Sequence, residues 1–276
     1  MTDPLLVEKA RTLRALHDAP VLVVPNVWDA ASAALVAEAG AAVIATTSGG
    51  VAWSLGHTDG EGLTRAEMAD AVRRIAATVR VPVTADVEGG YGPEPEDVAA
   101  TVRAVVAAGA VGINLEDARA SDGTLFPASV QARRIEAARD AAEEVGLPDF
   151  FLNIRTDVYL RQVGAPDGRL ADVRARADQY AKAGADGLFV PGLLDLDALA
   201  SLAASTSLPV NAMGGPGGPT VAELAEAGVR RVSVGTGIAQ AAYGLAKQAA
   251  RELLESGTYR TLDQSVSYPE IDALFA

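Results

Sequence analysis

Short apolar runs rich in β-branched residues alternate along the chain with longer segments whose apolar residues recur at helical spacing. Each run and the helical segment after it form one unit, and the units repeat roughly every 25 to 30 residues, which is typical of βα units. The pattern predicts eight strands, over residues 21–27, 42–48, 81–88, 111–117, 150–157, 187–190, 208–212 and 231–234.

Local signals place the helices between these strands. Thr64 and Glu67 form a capping-box pattern that starts the second helix, and an Ala-Gly phrase ends a helix before every second strand. The predicted helices cover residues 29–38, a stretch from 64 onward, and 96–108, 129–145, 170–183, 196–204, 221–227 and 238–254. Eight units predict an α/β fold, the (β/α)8 TIM barrel. A doubly wound open sheet is the alternative, which the missing Gly-x-Gly-x-x-Gly motif after the first strand disfavours.

The chain shows no linker-like segment that would divide it. Its 276 residues contain no Pro/Ser-rich or highly charged stretch, which predicts one domain over residues 1–276. The tail, residues 256–276, is predicted to add a short helical element after the last unit.

Charge and cysteine content exclude several classes of partner and of active site. The 36 acidic residues against 23 Lys and Arg give a net charge of −13, which disfavours nucleic acid and acidic membrane surfaces as partners. Without cysteine the chain has no thiolate metal site and no cysteine nucleophile or acid. The amino-terminal segment lacks the features of a signal peptide, so a cytoplasmic protein is expected.

Carboxylates follow the third and fourth predicted strands, at the end of a barrel where active sites lie. Side-chain alternation predicts that Asp86 and Glu88 point to the same side, with Glu116 beside them. Converging carboxylates need a cation between them, and all-oxygen ligation favours Mg²⁺, or Mn²⁺, over zinc. Asp86 is predicted as the direct ligand, with Glu88 and Glu116 holding waters of the ion. Alternatively, these acids only cap helices or pair with arginines.

Other polar residues at the same end are candidates for binding an acid. Arg155 leaves a buried strand there and can clamp a carboxylate or stabilise an enolate, unless a salt bridge occupies it. Residues 47–50 are predicted as a turn that presents backbone N–H groups, and the glycine-rich loops 213–218 and 235–237 as a phosphate cradle or ordinary turns. The candidate substrate-binding residues are Thr47, Ser48, Gly49, Gly50, Trp53, Tyr91 and Arg155.

Four segments together resemble the isocitrate lyase/phosphoenolpyruvate mutase superfamily. Residues 86–92, Asp-Val-Glu-Gly-Gly-Tyr-Gly, resemble its Asp-x-Asp-x-Gly-Tyr-Gly motif, with Glu88 in place of the second Asp. Residues 115–117, Leu-Glu-Asp, and 154–157, Ile-Arg-Thr-Asp, resemble its Glu-Asp and Ala-Arg-Thr-Asp motifs, and residues 48–59 resemble its Ser-Gly...Ser-x-Gly...Asp loop. The resemblance implies Mg²⁺, a 2-oxo acid, an enolate stabilised by Arg155, and a homotetramer with exchanged carboxy-terminal helices.

Departures from the family pattern narrow the activity. The loop at residues 118–127 lacks the Lys-x-Cys-Gly-His sequence of isocitrate and methylisocitrate lyases, and also the Lys and Asn-Ser of the mutases. The prediction is therefore a carbon–carbon lyase or decarboxylase other than those two lyases, with Arg155, Asp59 and Glu116 as catalytic candidates. Carbon–phosphorus chemistry on a phosphonate, with Asp59 near the transferred group, is the first alternative. A barrel that binds metal and oxo acid without turnover is the second.

Overall fold

The parallel strands of the chain form one sheet that curves into a nearly closed barrel. The structure, a computed structural model, describes residues 3–18 and 21–276, and nine strands pair within them. The strands are β1 (Leu22–Val24), β2 (Asn26–Val27), β3 (Ile44–Thr46), β4 (Val83–Asp86), β5 (Gly112–Glu116), β6 (Phe151–Arg155), β7 (Gly187–Phe189), β8 (Val210–Met213) and β9 (Arg231–Ser233). Their order is β1-β9-β8-β7-β6-β5-β4-β3-β2, with every neighbouring pair parallel.

Pro25 interrupts the first barrel strand. Before it, β1 pairs with β9, Leu22 opposite Arg231; after it, β2 pairs with β3, Asn26 opposite Ala45. Proline has no N–H to donate to a strand ladder, so a break at this position is expected. Because β1 and β2 together act as one strand, the sheet is a nearly closed eight-stranded barrel, and the predicted fold class is confirmed.

Helices surround the barrel and extend beyond it. They are α1 (Pro4–Leu16), α2 (Ala30–Glu38), α3 (Ser48–Ser54), α4 (Arg65–Thr78), α5 (Pro95–Ala107), α6 (Ala128–Glu144), α7 (Arg169–Lys182), α8 (Leu196–Ala203), α9 (Val221–Glu226), α10 (Gly237–Ser256) and α11 (Tyr268–Ala273). All eight predicted helices are confirmed, and Thr64 and Glu67 form both halves of the predicted capping box. The helices α1 and α3 were not predicted. No helix within the described ranges has the length and apolarity needed to cross a membrane.

Helix α1 closes the amino-terminal end of the barrel. Leu13 packs so closely on the start of β5 that a Cβ on Gly112 would lie 2.9 Å from its Cδ2 atom. The His17 ring stacks on Phe151 with 3.8 Å between ring centroids, and its Nδ1 lies 2.8 Å from the carbonyl oxygen of Leu13. Burial, with the positive charges of Arg231 and Arg14, lowers the pKa of His17 to about 4.

We expect this histidine to make the fold acid-sensitive. The unfolded chain binds the His17 proton below about pH 6.5, whereas the folded protein binds it only near pH 4, so the free energy of unfolding falls as the pH drops through that window. The shift corresponds to roughly 3 kcal/mol at most. Urea unfolding at pH 7 and pH 4 is expected to show a smaller acid-induced loss for His17→Phe than for the wild type. The control His57→Gln changes an exposed histidine and should lose as much unfolding free energy in acid as the wild type. Equal losses for all three proteins would show that His17 is not the source of the acid sensitivity.

The carboxy-terminal helices contribute little to the barrel core. Ala239 is the buried residue of α10, and α11 has none. Apolar side chains instead face outward along this segment: Leu254 is 84% exposed and Tyr268 79% exposed. The predicted helical tail is confirmed by α11, and the tail presents an apolar surface.

Candidate active site

A pocket lies at the carboxyl ends of the barrel strands. Its cavity has a volume of about 190 Å³. The residues that line it are Asn26, Thr47, Ser48, Asp59, Asp86, Asn114, Arg155, Leu160, Phe189, Pro191, Met213, Ser233, Gly235 and Thr236. A larger cavity of about 720 Å³ at the amino-terminal end, beside His17 and Phe151, contains none of the predicted site residues. Because parallel barrels carry their chemistry at the carboxyl ends, the smaller pocket is the candidate active site.

Asp86 is the last residue of β4 and lines this pocket. Its backbone N–H donates to the Thr46 hydroxyl at 2.8 Å, and its carboxylate accepts the N–H of Glu88 at 3.2 Å and, more weakly, that of Ser48 at 3.5 Å. Burial raises the pKa of Asp86, and the charge of Arg155 opposes that shift. The carboxylate is thus held in a fixed orientation in a site that disfavours its charge.

Glu88 lies in a turn after β4 and not on the strand that was predicted to carry it. The strand ends at Asp86, and Glu88 lies beyond it with a left-handed φ of 51°. The predicted strand over residues 81–88 is therefore too long, and side-chain alternation does not determine the direction of Glu88. Its carboxylate accepts the N–H of Glu61 at 2.5 Å and the hydroxyl of Tyr91 at 3.4 Å. Burial raises the pKa of Glu88 to about 7, and the nearby charge of Asp86 adds to the shift. The two carboxylates are therefore neighbours, brought together by the turn.

Arg155 forms ion pairs with two carboxylates at the end of β6. Glu116 lies opposite it in the β5–β6 register, with 2.6 Å between Nη1 and Oε1. Nε and Nη2 donate to the two carboxylate oxygens of Asp157 at 2.6 and 3.1 Å. Burial alone would lower the pKa of Arg155, but Glu116 and Asp157 raise it above its usual value. The salt-bridge interpretation is therefore correct, yet Arg155 still lines the pocket.

The three predicted metal-binding carboxylates do not form one direct ligand set. Within residues 3–18 and 21–276, no three His, Asp or Glu side chains are grouped so that they could hold one ion directly. Asp86 lines the pocket, whereas Glu88 and Glu116 are not among its lining residues. Glu88 contacts Tyr91, and Glu116 contacts Arg155. Asp86 as the direct ligand, with the other two acting through water, stays a prediction.

The predicted turn at residues 47–50 is wrong, because Ser48 begins α3 with Thr47 as its N-cap. Gly49 and Gly50 do not have positive φ angles; they are required by packing. A Cβ on Gly49 would lie 2.8 Å from Thr236 Cγ2, and one on Gly50 would lie 2.8 Å from the Trp28 Cβ. Thr47 and Ser48 line the pocket, while the two glycines are buried behind it.

Two aromatic candidates lie outside the pocket. Trp53 is 39% exposed and contacts the Tyr243 ring on α10 at 6.4 Å between centroids. Tyr91 has a left-handed φ of 59°, and its N–H donates to the Glu61 carboxylate at 2.8 Å. Tyr91 therefore supports the loop that carries Glu88. Neither aromatic side chain lines the candidate active site.

The loop at residues 118–127 folds back on itself beside the pocket. Ala118 and Leu125 form an antiparallel bridge, and the N–H of Arg119 donates to the Thr124 carbonyl at 2.8 Å. Phe126 anchors the loop between two guanidinium groups, with Arg119 4.0 Å and Arg134 4.3 Å from its ring centroid. In this arrangement no residue of the loop lines the pocket.

Several lining residues had no predicted role. Asn26 and Asn114 are polar side chains of β2 and β5, and Leu160, Phe189 and Pro191 form an apolar wall. Asn114 could have been found, because it precedes Glu116 by two residues and so shares its face of the strand. Of the two glycine-rich loops, Met213, Gly235 and Thr236 reach the pocket. Asp59, predicted from the resemblance, also lines it.

The chain is similar to known proteins over nearly its whole length. Residues 13–254 match the family described as phosphoenolpyruvate phosphomutase. A solved structure from Burkholderia cenocepacia J2315, provisionally identified as a phosphonomutase, is 46% identical, with 88% of this chain and 99% of that chain covered and a TM-score of 0.84. A second structure from the same organism, provisionally identified as a lyase/mutase, is 38% identical, with 99% and 98% covered and a TM-score of 0.91.

Other similar proteins carry specific activities in their names. An oxaloacetate decarboxylase from Bradyrhizobium sp. is 35% identical over 184 residues, which are 65% of this chain and 60% of that protein. The structure of 2,3-dimethylmalate lyase is 26% identical, with 96% and 94% covered and a TM-score of 0.83. That of phosphonopyruvate hydrolase with oxalate and Mg²⁺ is 25% identical, with 99% and 95% covered and a TM-score of 0.84. Decarboxylase, lyase and hydrolase activities all occur among these relatives.

Proposed function

Because the chain belongs to the phosphoenolpyruvate mutase/isocitrate lyase superfamily, whose members act on oxo acids, we propose that it cleaves a carbon–carbon bond as a lyase or decarboxylase. The substrate is a small 2-oxo acid or a precursor that yields one. The observation that carries the proposal is that Asp86 and Arg155 line the same small pocket. Its volume of about 190 Å³ equals that of about six water molecules, which suits a small acid.

The side chains at this site fit a magnesium ion. All the candidate donors are carboxylate oxygens, which Mg²⁺ prefers, and Mn²⁺ is an acceptable substitute. Burial raises the pKa of Asp86 and of Glu88, so a cation would stabilise the charged forms. Asp86 would hold the ion directly and Glu88 and Glu116 through water, and the bound ion would supply Lewis-acid polarisation of the substrate carbonyl.

Arg155 is the residue proposed to stabilise an enolate. When the carbon–carbon bond β to the carbonyl of a 2-oxo acid breaks, its electron pair remains on the oxo-acid fragment as an enolate, and a proton then completes the product. In a malate-type 2-hydroxy acid the hydroxyl instead loses its proton and becomes the carbonyl of the 2-oxo acid, while the electron pair remains as an enolate on the other acid fragment, which takes up a proton. Arg155 lines the pocket, and Glu116 and Asp157 hold its guanidinium in place, so its charge would be preorganised for that anion. Ser48 also lines the pocket, and its N–H donates weakly to the Asp86 carboxylate at 3.5 Å.

A second candidate reaction is cleavage of a carbon–phosphorus bond in a phosphonate. Asp59 and Thr236 favour it, because both line the pocket and Thr236 belongs to loop 235–237, a candidate phosphate cradle. Asp59 would then lie near the transferred group. A non-catalytic oxo-acid-binding barrel is the third candidate, since no residue of loop 118–127 reaches the pocket.

We also propose a cytoplasmic homotetramer in which carboxy-terminal helices are exchanged between barrels. The support is the apolar surface of α10 and the tail, where Leu253 is 51%, Leu254 84% and Tyr259 65% exposed. A surface of this kind is typical of an interface between subunits.

The proposed reaction can be tested with purified protein and candidate acids. With Mg²⁺ present, oxaloacetate and malate-type acids are expected to give pyruvate or another 2-oxo acid, and adding EDTA is expected to stop the reaction. Phosphate release from phosphonopyruvate would instead support carbon–phosphorus cleavage. Binding of oxalate without product from any of these acids would favour the non-catalytic barrel.

A further inference from the structure

Arg231, the first residue of β9, is buried inside the barrel with little to compensate its charge. Its side chain is among the largest that are fully buried, at 1% exposure. Its Nη2 donates to Asn114 Oδ1 over a long 3.4 Å, and in the described part of the chain Nε and Nη1 find no hydrogen-bond partner. Burial lowers the pKa of Arg231 to about 10, with the charge of Asp86 opposing the shift. Arg231 therefore stays positively charged at neutral pH.

Such a residue is expected to lower the stability of the folded protein. A buried charge without hydrogen-bonded partners destabilises the folded state, and an apolar side chain of similar volume is often neutral or stabilising in its place. Arg134, on α6, is a buried arginine with hydrogen-bond partners and so contrasts with Arg231. It is also fully buried, but it donates to the carbonyl oxygens of Gly89, Gly92 and Pro93. Arg134 supports the loop around Glu88, whereas no comparable structural role explains Arg231.

Asn114 connects Arg231 to the pocket. It lies on β5 opposite Asp86 in the strand register and lines the cavity. Its Oδ1 accepts from Asn153 Nδ2 at 2.8 Å and from Arg231 at 3.4 Å. Because both donors point at Oδ1, the amide has one favoured orientation, with its NH₂ group directed away from them and available to the pocket.

We propose that Arg231 is a positioning residue for an anionic ligand: it orients Asn114 as a hydrogen-bond donor at the pocket floor and places positive charge beneath the ligand. This inference rests on the proposed function, because it takes the ligand to be a small oxo acid. It gives a function to a buried cation that the hydrogen bonds of the fold do not explain. A ligand oxygen at the floor would accept from Asn114, whose partner Arg231 stabilises the negative charge.

Oxalate binding in the presence of Mg²⁺, measured by calorimetry, tests this role. Arg231→Met is expected to weaken binding roughly tenfold, about the value of one hydrogen bond to a charged group. Asn114→Leu is expected to do the same, and the double variant should lose no more than about tenfold because the two residues act as one unit. Arg231→Lys keeps the charge and is expected to restore most of the affinity.

Thermal unfolding separates this role from a structural one. Arg231→Met is expected to leave Tm unchanged or higher, whereas the control Arg134→Met should lower it, because several carbonyl oxygens lose their donor. A fall in Tm for Arg231→Met as large as that of the control, or failure of that variant to fold, would show a structural role and overturn the proposal. Equal oxalate affinity in the wild type and Arg231→Met would also overturn it. Oxalate binding by the wild type is measured first. If the wild type does not bind oxalate, the result refutes the proposed function and not the role of Arg231.

Discussion

Replacing Asp86 with Asn is expected to weaken Mg²⁺ binding by at least about 100-fold and to reduce turnover at least as much. Loss of an outer partner of a metal site commonly costs 10- to 100-fold, and Asp86 is the predicted direct ligand. Asparagine has nearly the same shape and can still accept the N–H of Glu88. The change therefore removes charge with little change in geometry. Metal titration by calorimetry and initial rates at saturating substrate measure the two effects.

Thermal unfolding gives a readout of Asp86 that needs no substrate. Without metal, Asp86→Asn is expected to unfold at the same or a higher temperature than the wild type, because burial disfavours the carboxylate charge. With millimolar Mg²⁺ the wild type should gain stability by mass action and the variant should not. Asp140→Asn, at an exposed position of α6, is the matched control and should behave as the wild type. An unchanged Mg²⁺ response in Asp86→Asn would refute the metal assignment.

Replacing Arg155 with Lys is expected to lower kcat by about 100- to 1000-fold, as for the loss of a preorganised donor to a developing anion. Lysine keeps a positive charge but not the planar fork that contacts Glu116 and both oxygens of Asp157. Arg155→Met should in addition destabilise the fold by about 3 to 5 kcal/mol, because it leaves buried carboxylates without their partner. Steady-state kinetics and urea unfolding measure the two consequences.

Arg161 provides the control for this experiment. It also pairs with Asp157, with 3.1 Å between Nε and Oδ2, but its side chain is 40% exposed and it does not line the pocket. Arg161→Met is therefore expected to change kcat less than about threefold, consistent with an exposed ion pair. If Arg155→Lys behaves like Arg161→Met, the enolate role of Arg155 is wrong.

The elements that depend on neighbouring residues were predictable from the sequence. Strand and helix periodicity and the Thr64–Glu67 cap are local signals, and the structure follows them within a few residues. Helix α1 had such signals too, since the Asp3 carboxylate accepts the N–H of Leu5 and Pro4 begins the helix. Helix α3 did not, because Ser-Gly-Gly has low helix propensity. It forms where Gly49 and Gly50 pack against Thr236 and Trp28.

The site was predictable where residues end a strand and not where the chain turns or strands meet. Asp86 and Arg155 end β4 and β6 and line the pocket. Glu88 could not be placed by alternation, because its backbone is left-handed and outside the strand. The contact of Arg231 with Asn114 joins β9 to β5 across the barrel. No pattern of neighbouring residues predicts a contact between positions so far apart in the sequence. The Arg155 ion pairs required knowing the register between β5 and β6.

The pairing of β1 with β9 has a consequence for how the protein is made. Residues 22–24 find their partners only at residues 231–233, so nearly the whole chain must leave the ribosome before the barrel can close. Until then β1 and the growing edge strand both carry unpaired backbone groups, and contacts this distant in sequence form slowly. During synthesis the unclosed sheet therefore presents edges through which chains can aggregate.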